Sequence, residues 1–140
     1  MSIEEEYRVL VIPCSGIGKV LGTIARLVAY HVVEDLLPRK TTTMCLPLLV
    51  NGDEEAKKLV KGHPCITIDG CGLKCAEKSV TTSGGKLMSS YVVLSEVARE
   101  RKEGKKLNLG AIANLSSDGK KLAWKTAEKI SIKIEGSLKG

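Results

Sequence analysis

The sequence predicts one α/β domain over residues 1–140, in three layers, with a mostly parallel, Rossmann-like sheet flanked by helices. Three observations carry this. Arg8-Val9-Leu10-Val11-Ile12-Pro13 and Cys65-Ile66-Thr67-Ile68 are apolar runs without alternation, as strands covered on both faces are. Helical stretches separate the strand candidates in the order strand, helix, strand, helix, strand, helix, which implies right-handed parallel crossovers. The 140 residues contain no Phe and one Trp, so Val, Ile, Leu and Ala must build the core. A chain of this length can bury roughly two-thirds of its unfolded surface, so it needs neither disulfide nor metal merely to fold.

The first strand, ending at Pro13, passes through the turn Cys14-Ser15-Gly16-Ile17-Gly18 into a long helix from Lys19 to Leu37. Val20, Leu21, Ile24, Leu27, Val28, Val32, Val33 and Leu36 cover most of that helix, so it is expected to be largely buried. Pro38 stops it. Thr41-Thr42-Thr43-Met44-Cys45 is β-branched and short, a second strand ending at Cys45. Leu46 to Val50 reads as a helical turn, and Asp53 caps a helix from Glu54 to about Lys61. Cys65 to Ile68 is the third strand. Cys75 to about Thr82 is a helix closed by Gly84-Gly85. Tyr91-Val92-Val93-Leu94 reads as a fourth strand in preference to the start of a helix reaching Arg101. Leu107 to Leu115 has no clear pattern. Ser117 or Asp118 caps a helix from Gly119 through Ile130. Ile130-Ser131-Ile132-Lys133-Ile134 fits an edge strand by alternation and a helix by the stripe Ala123, Ala127, Ile130, Ile134.

The net charge of +6 is unevenly placed. Lys/Arg and Asp/Glu cancel over residues 1–100, so the excess lies in the basic part, 101–140. Single-strand binders interleave such lysines with aromatic side chains. That interleaving is not expected here, so the lysines read as a solvated helix face and nucleic acid is not expected as a partner. The start is acidic, so a secretory leader is not expected, and no apolar run reaches the ~18 residues that span a bilayer. A cytoplasmic location is expected, with no membrane partner. The five cysteines should then be reduced and suited to metal or thiol chemistry.

Ile68-Asp69-Gly70-Cys71-Gly72-Leu73-Lys74-Cys75 is where this chemistry concentrates. Ligands in parallel sheets sit beyond the carboxyl ends of the strands. Cys14, Cys45 and Cys71 each fall at or just past a predicted strand end, and Cys75 follows four residues after Cys71. Four thiolates suit tetrahedral zinc or an iron–sulfur cluster. Cys65 lies six residues before Cys71, mostly along a strand, which puts it roughly 20 Å away. His63 is excluded with it. His31 is roughly 18 Å down the first helix. Cys65 reads as a small buried hydrophobe. Asp69 is expected behind the ligands, holding backbone amides or a water, or as a turn residue bonded to its own backbone. Lys19 and Lys74 could offset thiolate charge, although exposed lysines are the simpler expectation.

Cys14, just before a helix, also suits a nucleophile, because a helix amino end stabilises an anion. The phosphatase pattern C-x5-R fails, since position 20 is Val. Gly16, Gly18 and Gly22 are off the dinucleotide pattern, and Lys19-Val20 departs from the P-loop. These glycines read as a tight turn with close helix packing.

Pro13-Cys14-Ser15-Gly16-Ile17-Gly18-Lys19-Val20, Cys45, Gly52-Asp53-Glu54-Glu55, Ile68-Asp69-Gly70-Cys71 and Cys75-Ala76 together resemble the DGC-domain family, named for its central Asp-Gly-Cys. The resemblance covers about residues 8–85. It implies zinc binding by Cys14, Cys45, Cys71 and Cys75, the set the strand ends also give, and no established reaction. The expectation is a metal-binding protein with zinc at a four-cysteine site. The alternatives are an iron–sulfur protein in electron transfer, or a thiol redox enzyme with Cys14 as nucleophile and Cys71 or Cys75 resolving.

Overall fold

Continuous apolar runs demand cover on both faces, and the chain supplies it. In the computed structural model, which describes residues 8–14 and 16–139, four parallel strands form one open sheet in the order β2-β1-β3-β4. Ser15, inside the expected turn, and the acidic start lie outside the described residues. The strands are β1 (Val9–Pro13), β2 (Thr41–Thr42), β3 (Pro64–Asp69) and β4 (Lys86–Val92). Leu10 to Pro13 pair with Cys65 to Ile68, which aligns the carboxyl ends of the two central strands. Val9 to Ile12 and Cys65 to Ile68 are all at most 1% exposed.

The helices are α1 (Val20–Tyr30), α2 (Leu46–Val50), α3 (Glu54–Gly62), α4 (Cys75–Thr82), α5 (Val93–Lys102) and α6 (Ser117–Lys139). Helix α1 packs on β1 and β3 and against α5 and α6, while α2 packs against α3 and α4. With right-handed crossovers, α1, α5 and α6 cover one face and α2, α3 and α4 the other. This is the expected three-layer α/β arrangement. Among the described residues, no helix is long and apolar enough to cross a membrane.

Several elements differ from expectation, each for a local reason. The long first helix is α-helical only to Tyr30. His31–Leu36 is a wider π turn, in which the Leu37 N–H donates to the Val32 carbonyl at 2.8 Å. The fourth strand runs over Lys86–Val92, and Val93 already begins α5 without a loop. Sheet pairing of Pro64 to Asp69 with Lys86 to Val92 selects those seven residues although their sequence is mixed. Residues 107–115 form a loop pinched by an antiparallel bridge between Gly110 and Leu115.

Helix α6 starts at Ser117, with Ser116 Oγ accepting from the Gly119 amide at 3.3 Å. Asp118 instead accepts from the Asn108 amide. The segment 130–134 is helical, because Ala123, Ala127, Ile130 and Ile134 are fully buried while Ile132 is 74% exposed. A 3.6-residue stripe satisfies that pattern and a two-residue alternation does not. Other expectations hold: Asp53 caps α3 through its carboxylate and the Ala56 amide at 3.0 Å, and α4 spans Cys75–Thr82.

The surplus lysines of α6 are partly committed. Lys125 pairs with Glu100 at 2.6 Å and Lys129 with Glu96 at 3.0 Å, which ties α6 to α5.

Candidate metal centre

A sheet ordered β2-β1-β3-β4 has its switch point between β1 and β3, where successive connections leave in opposite directions. A crevice opens there beyond the carboxyl ends. A cavity of about 320 Å³ lies at that place. Its walls include Cys14, Lys19, Asp69, Cys71, Leu73 and Cys75, with Gly16, Gly18 and Gly70 between them.

Each side chain arrives by a short route. Cys14 follows β1 directly, and its amide donates to the Ile68 carbonyl at 2.8 Å, carrying the sheet one residue further. Its side chain is inside the core edge, 8% exposed. The Gly70 amide donates to Cys14 Sγ at 3.2 Å. That bond fixes the position of the sulfur at the cavity wall. Cys71 is half-buried and Cys75, the first residue of α4, is exposed. The amino ends of α1 and α4 approach this cavity, and their dipoles favour negative charge there.

Glycines make the crevice possible. A Cβ on Gly22 would lie 1.9 Å from the Gly16 carbonyl oxygen, and one on Gly70 would lie 2.9 Å from the Gly22 nitrogen. The first turn of α1 therefore rests directly on both the Cys14 loop and the Asp-Gly-Cys loop. The expected role for Gly16 and Gly22, close helix packing, is what their surroundings require.

Asp69 has a definite task. It is 2% exposed, with Oδ1 accepting from the Ala76 amide at 2.7 Å and Oδ2 from the Glu77 amide at 3.2 Å. It caps α4 from seven residues away. Lys74, at the capping position itself, is left-handed (φ 54°) and gives no side-chain cap. Burial pushes the Asp69 carboxyl above the usual carboxylate range. The two amides and Lys74 pull it down, and burial wins. Both carboxylate oxygens are engaged, so Asp69 fixes the helix that carries Cys75. Of the two lysines considered, Lys19 lines the cavity, while Lys74 lies 3.9 Å from Glu77.

Cys45 stands three residues beyond β2 as the residue before α2, and it is exposed. It is on the same edge of the sheet but does not line the cavity with the other three. Among the described residues, no three Cys, His, Asp or Glu side chains already converge on a metal position. Cys65 pairs with Leu10 and Leu87 near the opposite ends of their strands. It is fully buried, and burial raises its thiol to about 11. His63 Nδ1 is 3.1 Å from the Arg8 carbonyl, and His31 packs on Trp124.

What the sequence does not reveal is how Gly70, a glycine that lets the backbone approach an ion closely, is bonded. Its amide holds Cys14 Sγ, and its carbonyl accepts from the Leu94 amide at 3.0 Å, at the start of α5. Its place within Asp-Gly-Cys was visible; its two bonds depend on tertiary contacts no spacing reveals.

No curated protein and no solved structure matches the chain. The family model of the DGC domain matches residues 10–118, which extends past the 8–85 that the motifs suggested and takes in β4, α5 and the loop before α6. With most of its length so matched, the chain belongs to the DGC-domain family.

Proposed function

We propose that this protein binds a soft metal ion, zinc foremost, through Cys14, Cys71 and Cys75, with Cys45 from the neighbouring strand end as the fourth donor. The carrying observation is the Gly70 amide donating to Cys14 Sγ at 3.2 Å in a cavity shared with Cys71 and Cys75. Thiolates are the donors zinc prefers in structural sites. Lys19 and two helix amino ends offset their charge. Asp69 steadies the first turn of α4 and so the approach of Cys75. A bound zinc ion would supply a fixed positive charge that joins these loops. We place the protein in the cytoplasm, where thiols stay reduced. The redox reading ranks behind, since Cys14 is 8% exposed and poorly open to a substrate.

Elemental analysis of protein purified anaerobically without added metal tests this. About one zinc per chain is expected, with Cys14, Cys71 and Cys75 protected from alkylation. Cys65 serves as the buried control. Cys14→Ser should lower metal content while leaving the fold, since the core does not depend on the ion. Metal-free protein with freely alkylated Cys71 and Cys75 would sink the proposal. Iron with sulfide and a visible absorption band would assign an iron–sulfur cluster to the same thiols.

A further inference from the structure

A second cavity lies away from the thiols, between the carboxyl end of α1, the π turn and the first half of α6. Its volume is about 700 Å³, within the roughly 300–1,000 Å³ typical of small-molecule sites. Leu27 and Trp124 give it an apolar floor, and Lys120, Lys121 and Lys125 give it positive charge against one acid, Glu128. Leu27 of this cavity stands eight residues beyond Lys19 of the thiol crevice, so roughly 12 Å of helix α1 separates the two.

Trp124 stands between Lys121 and Lys125, so the expectation that no aromatic side chain interleaves with the lysines does not hold here. The residue is 40% exposed. The His31 ring meets it edge-to-face, with centroids 4.8 Å apart and planes at 81°. His31 takes at most one face of the indole, and its Nδ1 is held 2.8 Å from Asp35 within the π turn. Such turns recur at functional sites.

The charges are not all alike. Lys125 is spent on Glu100, whereas Lys120 and Lys121 form no ion pair among the described residues. An adjoining cavity of about 340 Å³ shares Leu27 and Lys120 and is lined by Arg26. One terminal nitrogen of Arg26 is buried without a hydrogen-bond partner in the described structure, an expensive state for a cation.

We propose that this groove binds a nucleoside monophosphate, its base stacked on Trp124 and its phosphate held by Lys120 and Lys121, with Arg26 beside them. A planar ring answers the exposed part of the indole, and one anionic group answers two lysines without an ion pair among the described residues. The size of the charge patch favours a single nucleotide over a strand. The next two lysines of α6, Lys125 and Lys129, meet Glu100 and Glu96, and Glu128 lines the groove, so no continuous track for a second phosphate leads from Lys121.

Trp124 is the only tryptophan, so its fluorescence reports on the groove alone. Titration of the full chain with adenosine 5′-monophosphate should give a saturable, salt-weakened change. Adenosine alone and inorganic phosphate alone should bind at least tenfold more weakly. Lys120→Gln/Lys121→Gln should lose at least tenfold in affinity with an unchanged melting temperature, since both side chains are exposed. Trp124→Leu, read by equilibrium dialysis with labelled nucleotide, should lose as much. No saturation at millimolar nucleotide overturns the proposal, as does unchanged affinity in either variant. Binding of a single-stranded oligonucleotide without binding of the monophosphate would also overturn it.

Discussion

Gly22→Ala sets two opposing effects against each other at one atom. In an exposed helix, replacing Gly by Ala stabilises by about 1 kcal/mol. Here the new Cβ would sit 1.9 Å from the Gly16 carbonyl oxygen and 2.6 Å from its carbon, where ordinary contact begins at 3.4 Å. The deficit of about 1.5 Å is against backbone, which cannot swing aside as a side chain would. Either α1 lifts from the crevice or the Cys14 loop is pushed outward. Overpacking of a tight interior costs about 1–3 kcal/mol and sometimes more, and backbone on backbone belongs at the upper end. Net of the helix gain, the variant should be destabilised by about 2 kcal/mol. With a urea slope of about 2 kcal/mol/M, the unfolding midpoint should fall by about 1 M. The same displacement should separate Cys14 Sγ from the Gly70 amide, so alkylation of Cys14 should quicken in the folded variant. A midpoint equal to or above that of the parent would refute the close packing of α1 on the Cys14 loop.

Two further outcomes follow from groups already described. Asp69→Ala should cost about 2–3 kcal/mol in chemical denaturation, because two amides at the start of α4 lose a buried carboxylate acceptor; an unchanged midpoint would remove its capping role. Glu100, hydrogen-bonded to Lys105 and Lys125, is held down to about 2 from 4.5. A lowered carboxyl contributes stability above pH 4.5 that is lost as the pH falls through 2. Carboxyl carbon NMR should therefore show Glu100 ionised at pH 3.5, and a midpoint near 4.5 would contradict the α5–α6 tie.

What the sequence made legible was the half of the site that strands dictate. Unbroken apolar runs marked β1 and β3, and parallel crossovers then required their carboxyl ends to share an edge. Cys14 and Cys71 had to meet there, and Cys65 had to lie at the other end. The remainder depends on contacts between distant segments. Lys86-Leu87-Met88-Ser89-Ser90 has no strand signature, and pairing with β3 imposes one. A helix cap is usually sought beside the helix, whereas Asp69 reaches α4 across a loop. Trp124 among the lysines was on display, yet only the fold shows that it shares a groove with His31. The position of Cys45 outside the cavity of its three companions likewise depends on how α2 leaves β2.

The bond from the Leu94 amide to the Gly70 carbonyl gives the site a dependence on chain it does not contain. Gly70 presents its amide to Cys14 while its other end is fastened to the first turn of α5. A fragment ending at Gly85 would include Cys14, Cys45, Cys71 and Cys75. It would lack β4, leaving β3 as a raw edge, and nothing would hold the Gly70 peptide plane at its angle. Such a fragment would own the donors without their arrangement. The smallest piece able to form the centre is therefore set by where α5 begins, well after the last cysteine.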